Sequence, residues 1–191
     1  VDADFFEING KAMLIAVNVA RDIRVWNVET GQCTNTILRV DPLSYEERTY
    51  YSPRICVSPR NDVAVVTFGS RLFIYSLPGV ECIDTFDVDG GPSRCAFSPT
   101  NPDILAFVCK SGNNETNGVL IWDIRQRRLV RKLGKGSGRR PIWFSPDDRK
   151  LLFVSHANRV EVWDIFTGKL AFDVPYNGRG AISISRSNGL L

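Results

Sequence analysis

The sequence predicts an all-β fold of four four-stranded antiparallel sheets. The first observation is a segment that recurs in phase four times, each copy ending in an aromatic residue: Ile23-Arg24-Val25-Trp26, Leu72-Phe73-Ile74-Tyr75, Val119-Leu120-Ile121-Trp122 and Val160-Glu161-Val162-Trp163. The aromatics Trp26, Tyr75, Trp122 and Trp163 are separated by 49, 47 and 41 residues, the period of one four-stranded blade of a β-propeller. The second is a set of short, nearly continuous apolar runs, such as Met13-Leu14-Ile15-Ala16-Val17 and Ile104-Leu105-Ala106-Phe107-Val108. A strand reads this way when both faces of its sheet are covered. The third is the lack of any sustained 3.6-residue period, with Gly and Pro recurring too often for helices.

Taken in order, the strands of the first blade fall at 2–7, 12–18, 22–28 and 32–38. Those of the second fall at 53–58, 62–68, 71–77 and 80–86, and those of the third at 93–98, 103–109, 118–124 and 128–133. The fourth has strands at 140–145, 150–155, 159–165 and 169–174. The turns between first and second strands carry Asn9-Gly10, Pro59-Arg60-Asn61-Asp62, Pro99-Thr100-Asn101-Pro102-Asp103 and Pro146-Asp147-Asp148, residue types that suit tight reversals. Glu29-Thr30-Gly31, Pro78-Gly79 and Phe166-Thr167-Gly168 do the same between third and fourth strands. The blades divide as 1–38, 39–87 with a long leading loop, 88–134 with an insertion between its second and third strands, and 135–175. Residues 176–191 repeat the first-strand pattern at Ala181-Ile182-Ser183-Ile184-Ser185, the start of a fifth blade.

A hydrophobic fraction of 43% and a charged fraction of 24% are those of a globular chain with an adequate core. The net charge of +3 is too small to indicate a nucleic-acid binder by composition, and no apolar run approaches the length of a membrane helix. The cysteines Cys33, Cys56, Cys82, Cys95 and Cys109 are odd in number and form no Cys-x-x-Cys pair. They read as core thiols of a reducing compartment, cytoplasmic or nuclear. The sequon Asn114-Glu115-Thr116 matters only in a secreted chain.

These motifs resemble the WD-repeat β-propeller family over essentially the whole chain. The best match is 142–170, from Ile142-Trp143-Phe144-Ser145-Pro146 through Val162-Trp163-Asp164-Ile165 to Thr167-Gly168. Trp-Asp itself stands at Trp122-Asp123 and Trp163-Asp164, with Trp26-Asn27 and Tyr75-Ser76 as divergent versions. The family's Gly-His pair is missing, so its usual histidine-aspartate tie cannot form; Asp22 is the one remnant of that aspartate. The resemblance therefore implies blades held together by apolar stacking more than by that polar network.

It also implies a closed ring, since repeats cannot bury their faces alone. Four blades suggest part of a larger ring of seven or eight blades, or half of a dimeric eight-bladed ring with two-fold symmetry. In such a dimer the 181–185 strand competes with 2–7 for one slot, and Val1-Asp2-Ala3-Asp4 is a poor strand former by type.

Catalysis finds no support in the residues. His156 is the only histidine, in a turn with no local motif to supply an orienting acid. No Cys/His cluster has zinc-ligand spacing. Gly134-Lys135-Gly136-Ser137-Gly138 lacks the glycine order of a phosphate loop and leads into a strand. The chain thus reads as no enzyme, with no cofactor and no metal. Binding residues are more legible. The resemblance places Lys110, Lys135, Arg139, Arg140, Arg159 and Arg179 on one loop rim of the third and fourth blades. Clustered cations there suit an acidic or phosphorylated protein segment. Tyr45, Tyr50 and Tyr51 in the loop 39–52 are candidate contact anchors, because aromatics dominate interface hot spots. Arg125, Arg127, Arg128, Arg131 and Lys132 form a second basic cluster, read as outer-strand charge that deters unwanted pairing.

The function expected is a non-catalytic protein-interaction scaffold whose partners are proteins or acidic peptides, with self-association or further blades completing the ring. One alternative is an RNA-associated propeller of a ribosome-assembly or RNA-processing complex, although the basic loops lack interleaved aromatics. Another is the sensor array of an NTPase-coupled signalling receptor.

Overall fold

A computed structural model of the chain describes residues 2–38, 53–88, 91–110, 118–134, 142–154 and 159–176. The strands are β1 (Asp2–Ile8), β2 (Lys11–Val17), β3 (Ile23–Asn27), β4 (Cys33–Ile37), β5 (Arg54–Val57), β6 (Val63–Phe68), β7 (Arg71–Ser76) and β8 (Cys82–Asp87). They continue as β9 (Gly91–Phe97), β10 (Ile104–Lys110), β11 (Gly118–Asp123), β12 (Arg128–Leu133), β13 (Ile142–Phe144), β14 (Lys150–Val154), β15 (Arg159–Asp164) and β16 (Leu170–Pro175). Each consecutive group of four forms one antiparallel up-and-down sheet, and no helix occurs among the described residues. The repeating segment and the turn residues had predicted these elements to within a few residues at each end. The long loop 39–52 and the 181–185 strand lie outside the described residues.

The chain divides into two compact units, Val1–Ser93 and Arg94–Leu191. In the first, Met13, Ile15 and Val17 alternate along β2, and Ile23 and Val25 along β3, so the two central strands present an apolar face, with Asp2 and Asp4 of β1 and Asn35 of β4 on its flanks. It packs with Ile55, Ala64, Val66, Phe73 and Tyr75 of the second sheet into one core. Burying side chains of this size is worth about 1.5–3 kcal/mol each. Along β6 five consecutive residues from Ala64 to Phe68 are buried, the two-sided burial that the apolar run predicts. In the second unit Ala106, Val108, Val119 and Ile121 make the equivalent core with Ile142, Phe144 and Leu151, and Trp163 packs against it.

The four aromatics occupy equivalent places. Across the second and third strands Trp26 faces Leu14, Tyr75 faces Ala64, Trp122 faces Leu105 and Trp163 faces Leu151. Beside each, the pairing with the fourth strand shifts by a bulge. A bulge adds local twist, and its recurrence beside the aromatic makes the shift a property of the repeat.

Two expectations are corrected. A weak first strand was expected from Asp2 and Asp4, yet β1 pairs with β2 over its full length. Its carboxylates have specific work: Asp2 Oδ2 accepts the N–H of Ile55 at 3.0 Å, and Asp4 Oδ2 that of Val57 at 2.8 Å. Arg54 adds an ion pair to Asp2. These bonds satisfy edge donors of β5, which sits beside β1, and so supply polar ties between the two sheets. The cysteines also split. Cys56 and Cys109 are buried as expected, whereas Cys33 and Cys82 are exposed at the start of the outer strands β4 and β8. No disulfide joins any of the five.

Candidate protein-interaction surface

In an up-and-down sheet the turns joining first to second and third to fourth strands share one end. In this chain those turns are built by short polar side chains that accept neighbouring backbone N–H groups. After Trp26, Trp122 and Trp163 comes an Asx residue whose side chain closes the following turn. Asn27 Oδ1 accepts the Thr30 N–H at 2.9 Å, Asp123 Oδ1 the Gln126 N–H at 2.7 Å and Asp164 Oδ1 the Thr167 N–H at 2.7 Å. The Asp of each Trp-Asp pair is therefore a turn-former, and such local bonding is what short Asx side chains do well. Each turn ends on a left-handed residue, Gly31, Val80, Arg127 or Gly168. A turn followed by a left-handed residue is the usual route into a bulged hairpin.

The turns between first and second strands follow a serine rule. Ser58 Oγ donates to Asp62 at 2.6 Å and accepts from Val63 N, while Ser145 Oγ donates to Asp147 at 2.6 Å and accepts from Lys150 N at 2.9 Å. Ser98 differs, because its hydroxyl reaches Asp148 in the neighbouring sheet, where Thr100 also bonds the same carboxylate oxygen. Asp148 holds the left-handed conformation, φ 57°, to make that reach. The two kinds of turn are also joined: Ile165 N donates to Arg149 O at 2.9 Å and Ile124 N to Asp103 O at 2.9 Å. The end of each sheet is thus a small braced platform.

The acids at these platforms are held in their charged form. The Ser145 hydroxyl, then the Arg149 N–H, keep the Asp147 carboxyl below its ordinary range. The Thr167 N–H, then its hydroxyl, do the same for Asp164.

The residues nominated from the sequence fall into three groups. Trp26, Tyr75, Trp122, Trp163, Asp123 and Asp164 take the equivalent structural positions just described; Tyr75 is buried in the first core, and the Trp122 ring meets the buried Phe107 at a tilt, with centroids 6.5 Å apart. Of the basic rim, Lys110 ends β10 and Arg159 begins β15, both at the end of their sheets opposite the braced turns. Arg159 bonds Asp173 of β16 through its guanidinium, which raises its pKa further. Lys135, Arg139, Arg140 and Arg179 lie outside the described residues, as do Tyr45, Tyr50, Tyr51 and His156. In the second basic cluster Arg125, Arg128 and Lys132 are exposed, whereas the Arg131 guanidinium donates to the Phe166 carbonyl at 2.9 Å. Asp22 accepts from the Asn18 side chain at 3.2 Å within its own turn.

The sequence reading missed the cross-sheet carboxylates Asp2, Asp4 and Asp148 and the arginine brace at Phe166. Nothing local signals them, because each partner lies about 35 to 53 residues away in the chain.

No protein-family model matches the chain. Over 99 residues, 50% of this chain, it is 28% identical to Protein mahjong of Drosophila melanogaster. That stretch covers 6% of the length of the Drosophila protein.

Proposed function

We propose that the chain is a non-catalytic interaction scaffold of the WD-repeat kind, its four sheets serving as propeller blades and its loops and turns as contact surfaces for partner proteins. The carrying observation is the repeated, braced hairpin. Four sheets of one design hold their turns with Asn27, Asp123, Asp164, Ser58 and Ser145, so the backbone is stiff where it meets solvent. Rigid presentation lowers the ordering cost of association, and loops on a rigid frame are where recognition residues collect. Free thiols, two of them exposed, fit a reducing cytoplasmic or nuclear setting. Among the described residues no helix is long and apolar enough to cross a membrane.

Partners with acidic or phosphorylated segments meet the basic rim formed by Lys110, Lys135, Arg139, Arg140, Arg159 and Arg179. A further sheet of the same type completes the array. On the first sheet Phe5, Leu14 and Trp26 align on one face, the face that in the second sheet carries the packed Tyr75, and Phe5 is 66% exposed.

Charge reversal tests the rim. Replacing Arg139, Arg140 and Arg179 by Glu should deplete specific proteins from quantitative pull-downs, and an unchanged partner set rejects it. A nucleic-acid titration separates the RNA alternative, which requires a steep loss of affinity with salt.

A further inference from the structure

Phe166 is a large apolar side chain that folding does not require at its position. It lies at the tip of the turn between β15 and β16 and is 69% exposed. The turn is closed by other residues: Thr167 donates to Asp164 through both its N–H and its hydroxyl, and Gly168 N donates to Asp164 O at 2.9 Å. Arg131 then locks the tip from the neighbouring sheet of the same unit by bonding the Phe166 carbonyl. The contact is close enough that a Cβ on Gly168 would come within 2.5 Å of the Arg131 guanidinium. In the other three repeats the equivalent position holds Glu29, Pro78 and Arg125. The repeat therefore sets the shape of the turn and leaves the residue at its tip free. In this sheet an exposed aromatic stands on a backbone that is held in place, and Leu170, 44% exposed, follows it in the chain.

The charge around Phe166 has one predominant sign. Arg131 touches it, Lys169 ends the same turn, Lys150 faces Asp164 across the β14–β15 pair, and Arg149 accepts the Ile165 N–H. Arg149, Lys150 and Lys169 are exposed. The nearby carboxylates are Asp164, bonded to Thr167, Asp147, bonded to Ser145 and Arg149 N, and Asp148, bonded to Ser98 and Thr100 of the neighbouring sheet. Four cations stand against three acids, so the turn keeps a net positive charge, with Arg149, Lys150 and Lys169 on its exposed side.

From this arrangement we infer that the Phe166 turn docks an acidic peptide segment carrying a large apolar side chain. The apolar side chain packs on Phe166 and Leu170, and the carboxylates meet Arg149, Lys150 and Lys169. An exposed aromatic on a braced turn, ringed by charge, has the make-up of an interface anchor. The inference rests on the scaffold reading, but it places a contact at the end of the sheet opposite the Arg159 rim.

The test uses the whole chain. A displayed library of random peptides is selected against it, and the most enriched peptide is measured by fluorescence anisotropy against variants. The expected peptide is rich in Asp and Glu with one large apolar residue. Phe166→Ser weakens it at least about tenfold, the scale of truncating an anchor. Phe166→Leu retains most of the affinity, and Arg149→Gln with Lys169→Gln weakens binding and flattens its salt dependence. Because Phe166 is exposed, the Ser variant keeps the wild-type denaturation midpoint. Enrichment of neutral or basic peptides, or equal affinity for Phe166→Ser, overturns the inference. If the selected peptide responds to Arg139→Glu, Arg140→Glu and Arg179→Glu instead, the scaffold reading stands and this site falls.

Discussion

The carboxylate of Asp4 accepts the backbone N–H of Val57 across two sheets, at 2.8 Å. Together with the Asp2 bond to Ile55 it pins the inner strand of one sheet to that of the next. An edge strand usually leaves such N–H groups to water or to another chain. Here two acids standing at alternate positions of β1 take them in register.

Replacing Asp4 by Ala should lower stability by about 1–2 kcal/mol, because a charged acceptor is lost and the Val57 donor is left without it. Urea denaturation reads this as a shift in midpoint with the slope preserved. An unchanged midpoint would show that the Asp4 bond contributes nothing.

Gly134 lies beneath Trp163. A Cβ at that position would sit 2.7 Å from Trp163 Cζ2 and 3.0 Å from Glu161 Oε2, the atom that accepts the indole N–H at 2.8 Å. Gly134→Ala therefore overpacks the second core and costs about 1–3 kcal/mol. The displaced indole shifts the tryptophan emission, which gives a second readout of the same substitution.

The left-handed end of the hairpin turn makes an opposed pair of predictions. Arg127 carries a φ of 53° where the first and fourth repeats have Gly31 and Gly168. Arg127→Gly should gain about 0.5–1 kcal/mol by relieving the Cβ strain, net of the added chain entropy. Gly168→Ala loses stability, from φ and from the clash with Arg131. Paired thermal melts check both signs.

Asp147 and Asp164 titrate below the ordinary carboxylate value of 3.8 in the folded chain. A depressed folded pKa means that their stabilisation is fully present above about 3.8 and fades as pH falls through the lowered value. Carboxyl NMR titration should place both midpoints below 3.8. In Thr167→Val the Asp164 midpoint should move back up, because the hydroxyl donor is gone.

Much of the fold was legible because its signals are local. The aromatic period, the apolar runs and the Asn9-Gly10 and Thr-Gly turns each act over a few residues, and they located the strands. The Asp of Trp-Asp was legible as a repeat mark but not as a turn-former, since its role depends on an N–H three residues on. Polar ties were read as weak for want of the Gly-His pair, whose bond would lie within a blade. Asp2, Asp4 and Asp148 make ties of another kind, between sheets, through carboxylates whose partners only the folded chain brings near. Phe166 was noted only as part of a turn, because exposure is not written in a single residue.

The central claim is a scaffold whose turns are stiff enough to present fixed contacts. Backbone ¹⁵N relaxation at Thr30, Gln126 and Thr167, the three amides held by Asn27, Asp123 and Asp164, tests it most directly. The account predicts order parameters near about 0.85, equal to those of the strands; values below about 0.6 would show mobile turns and contradict it.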